Sequence, residues 1–152
     1  MSNFDNLVKE ILFLSENKNF FNSSKKEWYV YNLVESNEPE SCLCGKFPIK
    51  NLCYIKNNLN NNIALVGNCC VKHFDLNYDW FFNGVKRLKA NLRPTGQFII
   101  YLHDKKIINE WEYIFLTDRE NSKKKSIKQD LKEKQIINKI LKQLEKNRSC
   151  LY

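Results

Sequence analysis

Cys42 and Cys44 stand one residue apart with Gly45 directly after them, and Cys53, Cys69 and Cys70 follow, so that five of the six cysteines fall within 29 residues. Thiolates are soft, charged donors that surround a borderline-soft ion such as zinc tetrahedrally, with Zn–S distances of ~2.3 Å. Two nearby sulfurs can face one ion only across a tight turn, and Gly45 permits it because glycine accepts positive φ at no steric cost. Cys42 and Cys44 are therefore read as the first pair of zinc ligands. The second half of the site offers a choice. Cys70 and His73 form a C-x-x-H pair on one turn, Cys53 opens a strand, and Cys69 and Cys70 are adjacent and cannot easily both bind. Cys70 takes the third place on spacing, with Cys53 and His73 competing for the fourth and Cys69 as an alternate. Buried cysteine is also a small hydrophobe, which is the plainer reading of the same residues. A redox dithiol would show C-x-x-C beside a βαβ pattern, and neither is present.

The elements around these residues have the order of a treble-clef zinc finger: a knuckle, a β-hairpin, then a cysteine at the start of a helix. NLCYIK and NIALVG are two short apolar runs separated by NNLNNN, an asparagine-rich loop suited to left-handed backbone. Gly67 ends the second run and CCVKHF follows as the first turn of a helix. Upstream, Phe4, Leu7, Ile11 and Leu14 mark an amphipathic helix over 3–15, ENKNFFNSSKK reads as a loop, and EWYVYNLVE favours a strand. Downstream, Phe81, Val85, Leu88 and Leu92 give a helix ending before Pro94. QFIIYLHD is helix or strand on periodicity alone. Asn109 with Glu112, and Ser126 with Gln129, are capping pairs, the second opening a long basic helix to about residue 147. Apolar Ile127 and Leu131 point differently from Ile137, Ile140, Leu141 and Leu144, which predicts a bend or a change of packing partner at 132–135.

The chain is thus expected to be a small α+β protein in one domain. Its parts are an N-terminal helix and loop (3–25), a zinc module (27–74), a helical segment (78–117) and a basic C-terminal helix (118–152). A hydrophobic fraction of 43% in 152 residues supports a buried core and excludes general disorder. No apolar stretch approaches the ~18–20 residues of a membrane span. The charged N-terminus is not a signal peptide, so the expected compartment is intracellular and reducing, where clustered cysteines hold metal more often than they pair. Cys150 stands apart as a thiol without a role.

The net charge of +8 is asymmetric: residues 118–148 hold eleven Lys and Arg against five Asp and Glu, a local +6. Lys123, Lys124, Lys125, Lys128 and Lys132 can neutralise phosphates and release counterions, which gives sequence-independent affinity for DNA or RNA. A solvated helix face is the plain alternative, since Asp130, Glu133 and Glu145 interleave. A protein adaptor docking through Trp80, Phe81, Phe82 and Trp111 is the second functional expectation. Enzyme signatures are missing, and four glycines leave little room for a phosphate or dinucleotide loop. A cysteine-rich set argues for a closed, structural site, so no enzyme is expected.

Taken together, EW at 27–28, CLCG, CYIKN at 53–57, VGNCCVKHF at 66–74, SIKQ and INKIL resemble a group of small zinc-binding proteins of mimivirus-like giant viruses, with related segments in some phage proteins. The similarity spans about residues 27–141. It implies a zinc module without an assigned function, and a viral setting in the host cytoplasm or a virus factory. In the resembling motif a cysteine lies four residues before a phenylalanine, which from Phe74 selects Cys70 over Cys69. The position of His73 is commonly lysine there, which favours Cys53 as the fourth ligand. The doubled cysteine at 69–70 departs from the pattern.

Overall fold

The computed structural model describes residues 2–120 and 126–149. It is an α+β protein with a three-stranded antiparallel sheet in the order β1-β2-β3. The chain divides into two compact units, Met1–Asp79 and Trp80–Tyr152.

The first unit begins with α1 (Asn3–Leu14), closed at its N-terminus by a reciprocal box between Ser2 and Asp5. Leu7 and Ile11 are buried, whereas Phe4 is partly exposed and lies against the His73 ring at 4.6 Å. The segment expected to be a loop instead holds a one-turn helix, α2 (Phe21–Ser24), followed by a 3-10 turn over Lys25–Glu27. Polarity concealed this turn. Asn17 Oδ1 accepts the N–H groups of Asn19 and Phe20, and the Phe20 carbonyl then starts the helix.

β1 (Trp28–Glu40) pairs with β2 (Ile49–Asn57), which pairs with β3 (Ile63–Gly67). β1 is longer than the aromatic run suggests, because pairing resumes at Glu40↔Ile49 after a register shift and delivers the chain to the first cysteine pair. The asparagine loop does more than turn the chain. Asn61 takes positive φ, while Asn60 and Asn62 donate their side-chain amides to the Leu14 carbonyl at 2.9 and 2.8 Å. The hairpin thereby satisfies an orphan carbonyl at the C-terminus of α1.

Behind the hairpin lies a buried carboxylate. Glu27 Oε1 accepts from the Glu16 N–H (2.8 Å) and Asn57 Nδ2 (3.1 Å), and Oε2 from the Asn17 N–H (3.0 Å). Burial alone would raise its pKa. These three bonds and the charge of Lys18 outweigh it and hold the carboxyl below its ordinary value. Trp28 Nε1 donates to Ser15 Oγ beside it, at 2.7 Å.

The second unit is helical: α3 (Asp79–Lys89, whose first residue belongs to the first unit), α4 (Gly96–Asp104), α5 (Glu110–Glu120) and α6 (Ile127–Ser149). The ambiguous QFIIYLHD is a helix, since Phe98, Ile99 and Leu102 share a buried face and Phe98 packs edge-on to Phe81 at 5.7 Å. Gly84 is required where α3 meets α4, because a Cβ there would lie 2.4 Å from Phe98 Cδ1. Both expected capping pairs form, Asn109 with Glu112 and Ser126 with Gln129. α6 runs unbroken through 132–135. Its divided apolar pattern arises because Ile136, Ile137 and Ile140 are buried while Ile127 and Leu131 are exposed.

Candidate metal centre

The knuckle forms where β1 ends. The Cys42 carbonyl accepts from the Gly45 N–H at 2.9 Å, and the Cys42 N–H donates to the Lys46 carbonyl at 2.9 Å. Gly45 closes this turn at φ +92°, a conformation that strains any residue with a Cβ. The Leu43 N–H donates to the Leu65 carbonyl, tying the knuckle to β3, and Asn6 Nδ2 reaches the Cys44 carbonyl from α1. Beyond Gly67 the chain turns into a 3-10 segment, Cys70–Phe74, which ends at left-handed Asp75.

This arrangement brings the sulfurs of Cys42, Cys44 and Cys70 within 4.8 Å of one another. A tetrahedral thiolate site with ~2.3 Å bonds has sulfur–sulfur edges of about 3.8 Å, so a small contraction would close the cluster around an ion. Cys42 and Cys44 are buried and Cys70 is half-buried. The Gly67 N–H points at Cys42 Sγ at 3.4 Å. A hydrogen bond from the Cys70 thiol does most to pull the Cys42 pKa down, to about 5; burial opposes it, and the N–H groups of Cys44 and Gly67 assist. The same hydrogen bond, with burial, drives Cys70 upward. The cluster therefore already favours a thiolate at Cys42, and three cysteines so placed could hold a metal ion.

The other sequence candidates stand outside this group of three. Cys53 sits in mid-β2 opposite Val66 with no solvent exposure, and burial pushes its thiol up to about 12. Cys69 is exposed, and the His73 ring rests on Phe4. None of these three joins the 4.8 Å group among the described residues. The Gly67 N–H and the Leu43–Leu65 bond have no signature in the sequence beyond Gly67 itself, which stands before the second cysteine pair.

Of the basic candidates, Lys128 and Lys132 are exposed on α6, and Lys123, Lys124 and Lys125 lie outside the described residues. The four aromatics considered for docking do not share one exposure: Phe81 and Phe82 are buried, Trp80 is half-buried and Trp111 is 55% exposed. Among the described residues, no helix is long and apolar enough to cross a membrane. Comparison with known proteins returns no matching family model, no matching curated protein and no matching solved structure.

Proposed function

We propose that this is a non-enzymatic protein in which a structural zinc ion fixes a treble-clef-like module and the basic C-terminal segment binds nucleic acid. The observation that carries the first half is the convergence of the Cys42, Cys44 and Cys70 sulfurs. Zinc is the ion this all-sulfur donor set suits best, and a fourth donor would complete a closed site. Cys53 is the fourth donor we favour, on the motif resemblance. A bound ion would lock the knuckle to the 3-10 segment, adding to the Leu43–Leu65 and Gly67–Cys42 hydrogen bonds that tie the knuckle to β3 and its end. Where the core is small, such binding is folding free energy.

Nucleic acid is favoured over a protein partner because Phe81 and Phe82 are buried, which removes half of the aromatic docking set. The lysines of α6, by contrast, stand at exposed positions. Protein purified without added zinc is expected to carry one zinc per chain, and a strong chelator is expected to unfold the first unit. A metal-free protein with an unchanged melt would overturn the zinc reading. Binding to DNA or RNA that weakens steeply with salt is expected, and no binding at ~50 mM salt would overturn the second half.

A further inference from the structure

Five of the six lysines of α6 share one line, Lys134 being the exception. Lys128, Lys132, Lys139, Lys142 and Lys146 recur at i, i+4, i+11, i+14 and i+18, with Gln135 at i+7 completing the line. At ~100° per residue all six positions fall on one narrow face, and all six are exposed. The line is about 27 Å long at 1.5 Å per residue. Gln135, Asn138, Lys139, Lys142, Gln143 and Lys146 line a shallow depression of about 460 Å3 along its second half.

Three features separate this face from an ordinary solvated one. The acids of α6 lie off it: Asp130 pairs with Lys134 at 3.1 Å, Glu133 is buried beside Arg93, and Glu145 is a quarter-turn away from Lys146. Lysine repeats at i, i+4 twice (128/132 and 142/146), which is a like-charge spacing that weakens a helix standing alone. Two of the lysines are also held in place. Lys139 Nζ contacts Glu112 Oε1 at 2.6 Å while its side chain stays half-exposed, and Lys132 Nζ sits 5.0 Å from the centroid of the Trp111 ring. The like-charge spacing is thus tolerated on a face where Lys132 rests on Trp111 and Lys139 is ion-paired with Glu112, so that Lys128, Lys142 and Lys146 are the cations on which a phosphate contact chiefly rests.

Resting on the nucleic-acid reading above, we infer that the contact surface is this Lys128–Lys146 line, and that its ligand is the phosphate backbone of duplex DNA, bound without regard to sequence. A straight, rigid row of cations meets several phosphates at once on a stiff duplex, whereas a single strand must first be ordered along it. Five of the six positions on the line are lysines, and the amides Asn138 and Gln143 flank it. That is a layout for neutralising phosphates more than for reading base edges.

The test uses the full-length, metal-loaded protein and a labelled ~20-bp mixed-sequence DNA duplex, titrated between ~50 and 200 mM salt. The variants are Lys128→Gln/Lys142→Gln/Lys146→Gln and Lys123→Gln/Lys124→Gln/Lys125→Gln, each checked for unchanged helicity by circular dichroism. Wild type is expected to bind, and to bind the duplex more tightly than a single strand of the same length. The 128/142/146 variant should lose about 2.7 from the log–log salt slope, at ~0.9 per phosphate contact, and weaken roughly 100- to 500-fold near 0.1 M salt. Wild-type slope and affinity in that variant, with the loss appearing in the 123/124/125 variant instead, would overturn the assignment and leave the nucleic-acid reading standing. Preference for the single strand would overturn the choice of duplex. No wild-type binding to either would overturn the reading on which the inference rests.

Discussion

Glu27→Gln tests how the first unit is held together. The carboxylate is only 8% exposed and receives three donors, two on Oε1 and one on Oε2. Glutamine keeps the shape but offers one oxygen. With that oxygen placed on the Glu16 and Asn57 donors, its NH2 faces the Asn17 N–H and leaves a donor unsatisfied. Three charge-assisted bonds also become neutral or vanish, at about 1 kcal/mol each, and the orphaned donor costs about 1–3 kcal/mol more. Burying a neutral amide in place of a charge offsets part of this. The expected net loss is about 2–4 kcal/mol, a large share of the ~5–15 kcal/mol typical of a domain. In a Trp80→Phe/Trp111→Phe background the remaining Trp28, buried next to Glu27 in the chain and bonded to Ser15, reports urea unfolding of this unit. The pH dependence gives an independent check. Because the folded-state pKa of Glu27 is depressed, its contribution is complete above the unfolded value of ~4.3 and is lost as pH falls through the lower folded value. The gap between wild type and variant should be flat from about pH 5.5 to 8 and shrink in acid. A variant within ~0.5 kcal/mol of wild type at pH 7, where surface changes usually fall, or a gap that widens in acid, would refute the reasoning.

Gly84→Ala should destabilise the second unit although alanine is the better helix former by ~1 kcal/mol. Its Cβ would press on the buried Phe98 ring, and overpacking of this kind costs about 1–3 kcal/mol; a raised melting temperature would contradict the close approach. Adding Phe98→Leu should recover part of the loss, which a double-mutant cycle measures. Cys44→Ser should lower both the zinc content and the melting temperature far more than Cys150→Ser, and equal values for the two would count against the cluster.

Much of the fold is legible in local patterns. The spacing of Leu7 and Ile11 marks α1, the runs in NLCYIK and NIALVG mark a hairpin, and the pairs Asn109/Glu112 and Ser126/Gln129 mark helix starts, because each signal acts over a turn or two of chain. QFIIYLHD could not be resolved in this way, since five apolar residues in a row suit either element until Phe81 and Gly84 supply the surface that Phe98 fills. Of the candidate site, the knuckle was visible because Cys42, Cys44 and Gly45 are neighbours. The lysine line was also present in the spacing, but charge counting alone obscured it.

The residue types and their short-range order determined which groups are available: a thiol pair on a tight turn, a hairpin, and a long cationic helix. Tertiary structure alone decided which of them meet. Cys70 joins Cys42 and Cys44 because the β2–β3 register carries Gly67 and the 3-10 segment back beside the knuckle, while the same register sets Cys53 opposite Val66. It likewise turned Glu27, at the head of an expected strand, and Asn57 and Asn60, of an expected loop, into supports for the first unit. The physical reason is range. Propensity and periodicity act between neighbours, whereas the cysteine cluster and the buried carboxylate depend on partners 10 to 30 residues away, brought together only when strands pair and apolar faces are buried.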